Sequence, residues 1–261
     1  MPAVEVSAVD LLRIASFRAA FARRQAERVI EIPGGAAVLN SAYAASHEHN
    51  QLVVDGSVAP DALPGLADRT LGHLPHRRIS VLDDEFGVLC APALRAAGYE
   101  HETELVMRHS GPAPAPDPAA ETVAAEELRS AVLRQTRRWM PKAEEGVVHQ
   151  LTDRRAARLR GADQVRFLAV RDGQGTVGAW ADLYLDPVEG IAQIEEVVTA
   201  TTHVRRGYAD INLATAAHLA AGCPLLFLIA DPDDWPRTWY ARRGFTPIGR
   251  SHVFTRSATG A

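Results

Sequence analysis

Val204-Arg205-Arg206-Gly207-Tyr208-Ala209 is a basic turn punctuated by glycine. A strand-like Val197-Val198-Thr199 leads into it, and a helix-like stretch from Asp210 to Ala221 follows. That order places unpaired backbone N–H groups at a helix start, where they hold an anion. Arg205 and Arg206 add charge-assisted donors beside them. The chemistry this predicts is capture of a phosphorylated ligand. Two carboxylates, Glu195 and Glu196, stand just upstream on the strand. Strand alternation sends them to opposite faces, unless a bulge changes which one turns inward. His203 lies in the turn itself and reads as a loop or ligand contact.

The elements around the turn must aim it. Ile211, Ala214, Ala217 and Ala221 follow helical steps and predict a small-residue face that lies close to a sheet. Gly222 fits a left-handed position just past that helix. Upstream, Val165–Val170 and Val177–Leu185 are apolar runs joined at Asp172-Gly173-Gln174-Gly175, a predicted hairpin. Ile191–Thr199 is the next strand, and Glu121–Trp139 and Val147–Leu159 read as helices. Downstream come a strand at Leu225–Ile229, a helix over about 235–243 and a closing strand at Ser251–Thr255. Asp231, Asp233 and Asp234 sit at a helix start and read as caps rather than metal ligands.

The chain has 261 residues, 47% hydrophobic and 23% charged, with a net charge of -4. This is the composition of a soluble globular protein and argues against general nucleic-acid binding. No apolar run reaches the roughly 18 residues a membrane helix needs. No basic head and apolar core mark a signal peptide, so the expected location is the cytoplasm. Cys90 and Cys223, the only cysteines, sit in apolar surroundings and read as buried thiols. Arginines along 154–160 read as a solvated helix face, and His47-Glu48-His49 as an exposed loop. No metal is expected.

Ser110-Gly111-Pro112-Ala113-Pro114-Ala115-Pro116-Asp117-Pro118 is a stiff, proline-rich spacer. It predicts two domains, 1–110 and 117–261. The first opens with an amphipathic helix over 7–27, strands at Val29–Ile32 and Ala36–Leu39, and a helix over Asp61–Leu71. Both halves then run strand, acidic loop, helix, Gly-aromatic pair, strand: Arg78–Leu82 to Met107 in one, Leu225 to Thr255 in the other. The first half has no counterpart of the Arg-Arg-Gly turn.

With these residues in place, the chain resembles the GNAT superfamily of acyl-CoA-dependent N-acetyltransferases. The family's phosphate signature is Gln or Arg, two variable residues, Gly, one variable residue, then Gly or Ala. Here Val204-Arg205-Arg206-Gly207-Tyr208-Ala209 occupies it, with Val204 as the one departure. A second family feature is a tyrosine before a Gly-Phe pair, here Tyr240-Ala241-Arg242-Arg243-Gly244-Phe245. The likeness covers Val165–Arg256 well, and the first half resembles a degenerate copy.

The resemblance implies an α/β (α+β) fold with two GNAT-like halves, each a mixed, mainly antiparallel sheet flanked by helices. It implies acetyl-CoA as cosubstrate, its pantothenate amides on Val197, Val198 and Thr199 and its diphosphate on Arg205, Arg206, Gly207, Tyr208 and Ala209. Tyr240 becomes the candidate general acid, and Glu195 or Glu196 the candidate base. The acceptor would be an amine on a small molecule or peptide, and the protein a monomer or homodimer. The contrasting expectation is a non-catalytic acyl-CoA-binding sensor or interaction module.

Overall fold

The computed structural model describes residues 2–257. Two compact units emerge: Met1–Met107 with Ile229–Ala261, and Arg108–Leu228. Along the chain, the first unit begins with α1 (Pro2–Gln25), β1 (Arg28–Ile32), β2 (Gly35–Leu39), β3 (Gln51–Val54), α2 (Leu63–Leu71), β4 (His76–Val81), α3 (Asp84–Ala96) and β5 (Glu100–His109). The second unit holds β6 (Ala120–Val123), α4 (Ala125–Trp139), α5 (Glu145–Asp153), α6 (Arg155–Arg158), β7 (Gln164–Arg171), β8 (Val177–Asp186), β9 (Ile191–Thr199) and α7 (Tyr208–Leu219), then β10 (Leu225–Ala230). The chain finishes in the first unit with α8 (Pro236–Ala241) and β11 (Phe245–Ser257).

In the first unit the strand order is β1-β2-β3-β4-β11-β5. β1–β2, β2–β3 and β4–β11 are antiparallel, and β3–β4 is parallel. Alternation sorts the two sheet faces. Ala37 and Leu52 join Leu63, Leu71 and Leu94 in one core, so α2 and α3 cover that face. Val38 and Val53 point the other way and meet Ala19 and Ala22 of α1. Arg18 of α1 donates to Glu104 of β5 at 2.6 Å and to Ser251 of β11 at 2.7 Å, tying helix to sheet.

The units change at Met107/Arg108, near the expected end of the first domain at 110, but the C-terminal segment does not stay with 117–228. β11 hydrogen-bonds β4 from His252↔Val81 to Ser257↔His76, which carries Ile229–Ala261 into the first unit. The expected strand at Ser251–Thr255 is thus part of a 13-residue strand.

In the second unit the order is β10-β9-β8-β7-β6, antiparallel except for the parallel pair β9–β10 joined through α7. Every residue of β8 is buried, as suits a central strand covered on both faces. On one face Leu128, Ala131 and Val132 of α4 pack on Phe167, Ala169 and Trp180. α7 crosses between the parallel strands. Its buried residues are Asn212, Leu213, Thr215, Ala216 and Ala217; of the expected row Ile211, Ala214, Ala217 and Ala221, Ala217 alone is among them. Ala221 is exposed. Gly222 is not left-handed either; the helix ends at Leu219, two residues earlier than expected, and is capped by Ala220.

β3–α2–β4–α3–β5 and β9–α7–β10–α8–β11 repeat one order, with a parallel pair in each. Both sheets are mixed and mainly antiparallel with flanking helices, as the sequence led us to expect.

Candidate functional site

β9 is the strand that builds the site. Its parallel pairing with β10 ends at Ile194↔Leu228, yet it runs on to Thr199. Val197, Val198 and Thr199 therefore offer a backbone edge on that side that has no paired strand among the described residues. On the other side the register with β8 slips: Asp182 faces Glu195, and Trp180 faces Val198. Glu196 and Val197 together oppose Ala181, and Glu196 takes a left-handed φ of 51°. This is a β-bulge, which bends the strand and re-aims its side chains.

The bulge breaks the alternation expected of the two glutamates. Asp182 and Glu196 reach the same guanidiniums: Arg155 and Arg158 hold Asp182 at 3.0 and 2.9 Å, and Arg158 holds Glu196 at 3.1 Å. Arg154 adds a contact to Glu196 at 3.2 Å. Cross-strand partners share a face, so Glu195, opposite Asp182, starts from that face too. The arginines near 154–160 are thus not a solvated face. Arg155 is 5% exposed and Arg158 1%. Sequence reading missed them because their partners, Asp182 and Glu196, lie on two distant strands.

After β9 the chain makes a short 3-10 turn at Thr201–His203 and then the loop Val204–Gly207. Arg205 has φ 65° and Gly207 φ 77°, both left-handed. Gly207 caps α7, and its carbonyl accepts from the amides of Asp210 and Ile211. The amides of Arg205, Arg206, Gly207, Tyr208 and Ala209 have no acceptor among the described residues. Arg205 and Arg206 are exposed and form no ion pair among those residues. Free amides, two unpaired cations and the positive end of a 12-residue helix converge there. A Cβ on Gly207 would meet no protein atom within 4 Å, so glycine is required there by φ rather than by crowding within the protein. Val204 is 53% exposed.

His203 is not a surface residue of this loop. It is 7% exposed, and its Nε2 lies 3.0 Å from Asp172 Oδ2 in the β7–β8 hairpin. That contact, with the amides of Thr176 and Gln174, holds the Asp172 carboxyl down to about 2.

Tyr240 belongs to α8 in the first unit. Its ring is half-buried and meets Phe245 edge-on at 6.0 Å and Trp239 at 5.0 Å. Burial pushes its hydroxyl up to about 12, so it stays protonated at neutral pH. Asp231 and Asp234 accept from the amides of Asp233 and Trp235 within the loop; they are not the expected helix caps, because the cap position of α8 is Trp235 and has no side-chain cap bond. His49 is not exposed: it is 1% exposed and bonded to Ser46 at 2.9 Å, while His47 stacks on His76 at 3.8 Å. Cys90 and Cys223 are buried.

The first unit's own parallel pair opens differently. After β3 comes Asp55-Gly56-Ser57, and α2 starts beside Pro64. A cavity of about 700 Å³ there is lined by Asp55, Asp83, Asp84 and Glu85, with Arg250 and apolar side chains. Four carboxylates against one guanidinium leave the lining net acidic, which disfavours a diphosphate.

Solved structures share the fold of this chain. A GCN5-related N-acetyltransferase from Kribbella flavida aligns over 96% of both chains with a TM-score of 0.62 and 18% identity. A functionally unknown conserved protein from Staphylococcus epidermidis aligns over 89% of this chain and 94% of its own, at 0.66 and 11%. A tandem GNAT protein from the clavulanic acid biosynthesis pathway aligns over 89% and 82%, at 0.54 and 14%. No protein-family profile matches the sequence, and no curated protein does. At these identities the likeness is one of fold. Among the described residues no helix is long and apolar enough to cross a membrane.

Proposed function

We propose that this chain transfers the acetyl group of acetyl-CoA to a primary amine of a small molecule or peptide. The observation that carries the reading is the row of unpartnered amides from Arg205 to Ala209, flanked by two unpaired arginines. The diphosphate rests on those amides. The pantetheine amides pair with the open edge at Val197–Thr199, adding a short strand.

In the reaction the amine nitrogen attacks the thioester carbonyl carbon. The carbon–sulfur bond then breaks, and the thiolate takes a proton. Tyr240 is our general acid, because its hydroxyl remains protonated at neutral pH. The amine must lose a proton before or during attack. Arg154 and Arg158 hold Glu196 Oε1. Proton removal falls to Glu195 or Glu196, directly or through a water.

A second reading is an acyl-CoA sensor without turnover. The arginine clamp on Glu196 and valine at position 204 favour it. Calorimetry with acetyl-CoA, coupled to a thiol-release assay over an amine panel, separates the two. Binding with release supports the transferase. Binding without release over the panel supports the sensor. No binding removes both. Ligand at 100 times Kd should stabilise the fold by about 2.7 kcal/mol, so a thermal shift also reports binding.

A further inference from the structure

Val204–Gly207 is a four-residue loop whose two ends rest on one glycine. At the near end, His203 is held from both ring nitrogens: Nε2 by Asp172 Oδ2 at 3.0 Å and Nδ1 by Thr202 Oγ1 at 2.9 Å. Its own amide donates to the Ala200 carbonyl at 2.7 Å, and the Ala200 amide donates to the Gly178 carbonyl at 2.9 Å. At the far end, the ring of Tyr208, first residue of α7, lies 6.1 Å from the His203 ring, the planes 26° apart. Both rings pass over Gly178 of β8. A Cβ there would come within 2.8 Å of His203 Cδ2 and of Tyr208 Cε2. Asp172 is fixed in turn, because its Oδ1 accepts from the Gln174 and Thr176 amides at 2.9 Å each.

Between these anchors the loop carries a strained residue. Arg205 is a long side chain in the left-handed region, a conformation that persists only where its surroundings enforce it. We infer that Asp172, Gly178 and His203 form a clamp that holds Arg205–Gly207 in the anion-binding conformation. These are positioning residues for the coenzyme site, and the inference rests on the acetyl-CoA reading. The hairpin that carries Asp172 and the strand that carries Gly178 have no place in the phosphate signature, so sequence alone does not point to them.

The test uses the full chain, with Gly178→Ala, Asp172→Ala and Asp172→Asn. Calorimetry with coenzyme A should show Kd raised roughly tenfold for Gly178→Ala and Asp172→Ala, the loss of about one charge-assisted contact. If the protein turns over, KM for acetyl-CoA should rise while kcat at saturation changes less than about twofold. Asp172→Asn keeps an oxygen for the His203 N–H and should recover most of the affinity. Circular dichroism confirms folding. If Gly178→Ala does not fold, Asp172→Ala at the hairpin tip still decides. Backbone coupling constants of Arg205 in ligand-free protein give an independent readout, since the clamp keeps φ positive and Asp172→Ala should release it. A folded Asp172→Ala protein with wild-type Kd and unchanged Arg205 couplings overturns the clamp. Wild-type protein that binds no coenzyme A, yet loses the Arg205 couplings in Asp172→Ala, overturns the coenzyme reading and leaves the clamp standing.

Discussion

Gly207→Ala is the most direct probe of the site. Gly207 has φ 77° and ψ 3° as the cap of α7, and nothing in the protein crowds its missing side chain. An L-residue held there costs about 1–2 kcal/mol, the penalty of left-handed backbone. The variant can escape this cost only by turning the loop, which scatters the amides of Arg205–Ala209. If the free protein turns and the bound protein cannot, the cost falls on binding and Kd for acetyl-CoA rises about 5- to 30-fold. If the loop is held in place, the cost falls on stability, about 2–4 °C in Tm per kcal/mol for a chain of this size. Calorimetry and thermal melts of one preparation measure both shares, which together must reach about 1 kcal/mol. Combining Gly207→Ala with Asp172→Ala should move the share from stability to binding. Gly222→Ala is the control, because Gly222 is not left-handed and has open space around it. Wild-type Kd and wild-type Tm for Gly207→Ala would refute the reasoning from the loop to the anion.

Tyr240→Phe should lower kcat at least about tenfold with little change in acetyl-CoA Kd, since it removes a proton donor and keeps the ring; wild-type turnover counts against the assignment. Arg158→Met leaves Asp182 short of a buried partner and should cost about 3–5 kcal/mol in chemical denaturation. Burial opposes ionisation of Glu104, but Arg18 and Arg78 outweigh it and hold its carboxyl below the usual value of 4.5. Its contribution to stability is therefore complete above that value and is lost as pH falls through the lower folded one. Glu104→Gln should lower Tm at pH 7 and flatten the acid side of the Tm–pH curve; an acid limb equal to wild type would count against it.

Much of the fold was legible because apolar runs and turn residues coincide. β7, β8 and β9 begin and end within a residue of their hydrophobic runs. β6 was not legible, since Ala120–Val123 runs without a break into the helical Ala125–Trp139 and reads as its first turn. β3 is only four residues long, with polar Gln51 at its head, and no pattern of that length separates a strand from a loop. The buried face of α7 was misjudged because Asn212, fully buried, sits where an apolar residue would mark it. The glycine turn ahead of α7 could be read because it depends on local backbone chemistry. Asp172, Gly178 and the arginines around Asp182 could not, because each acts on a residue at least 24 positions away.

The position of β11 between β4 and β5 has a consequence for how this protein is made. While the chain emerges from the ribosome, the N-terminal unit must wait with a gap in its sheet. Until Phe245–Ser257 arrives, β4 and β5 each present a raw edge, an invitation to stray strands. A nascent chain arrested before residue 245, or a fragment cut at the proline spacer, should therefore aggregate or recruit chaperones. Supplying a synthetic 245–257 peptide in trans should quiet it.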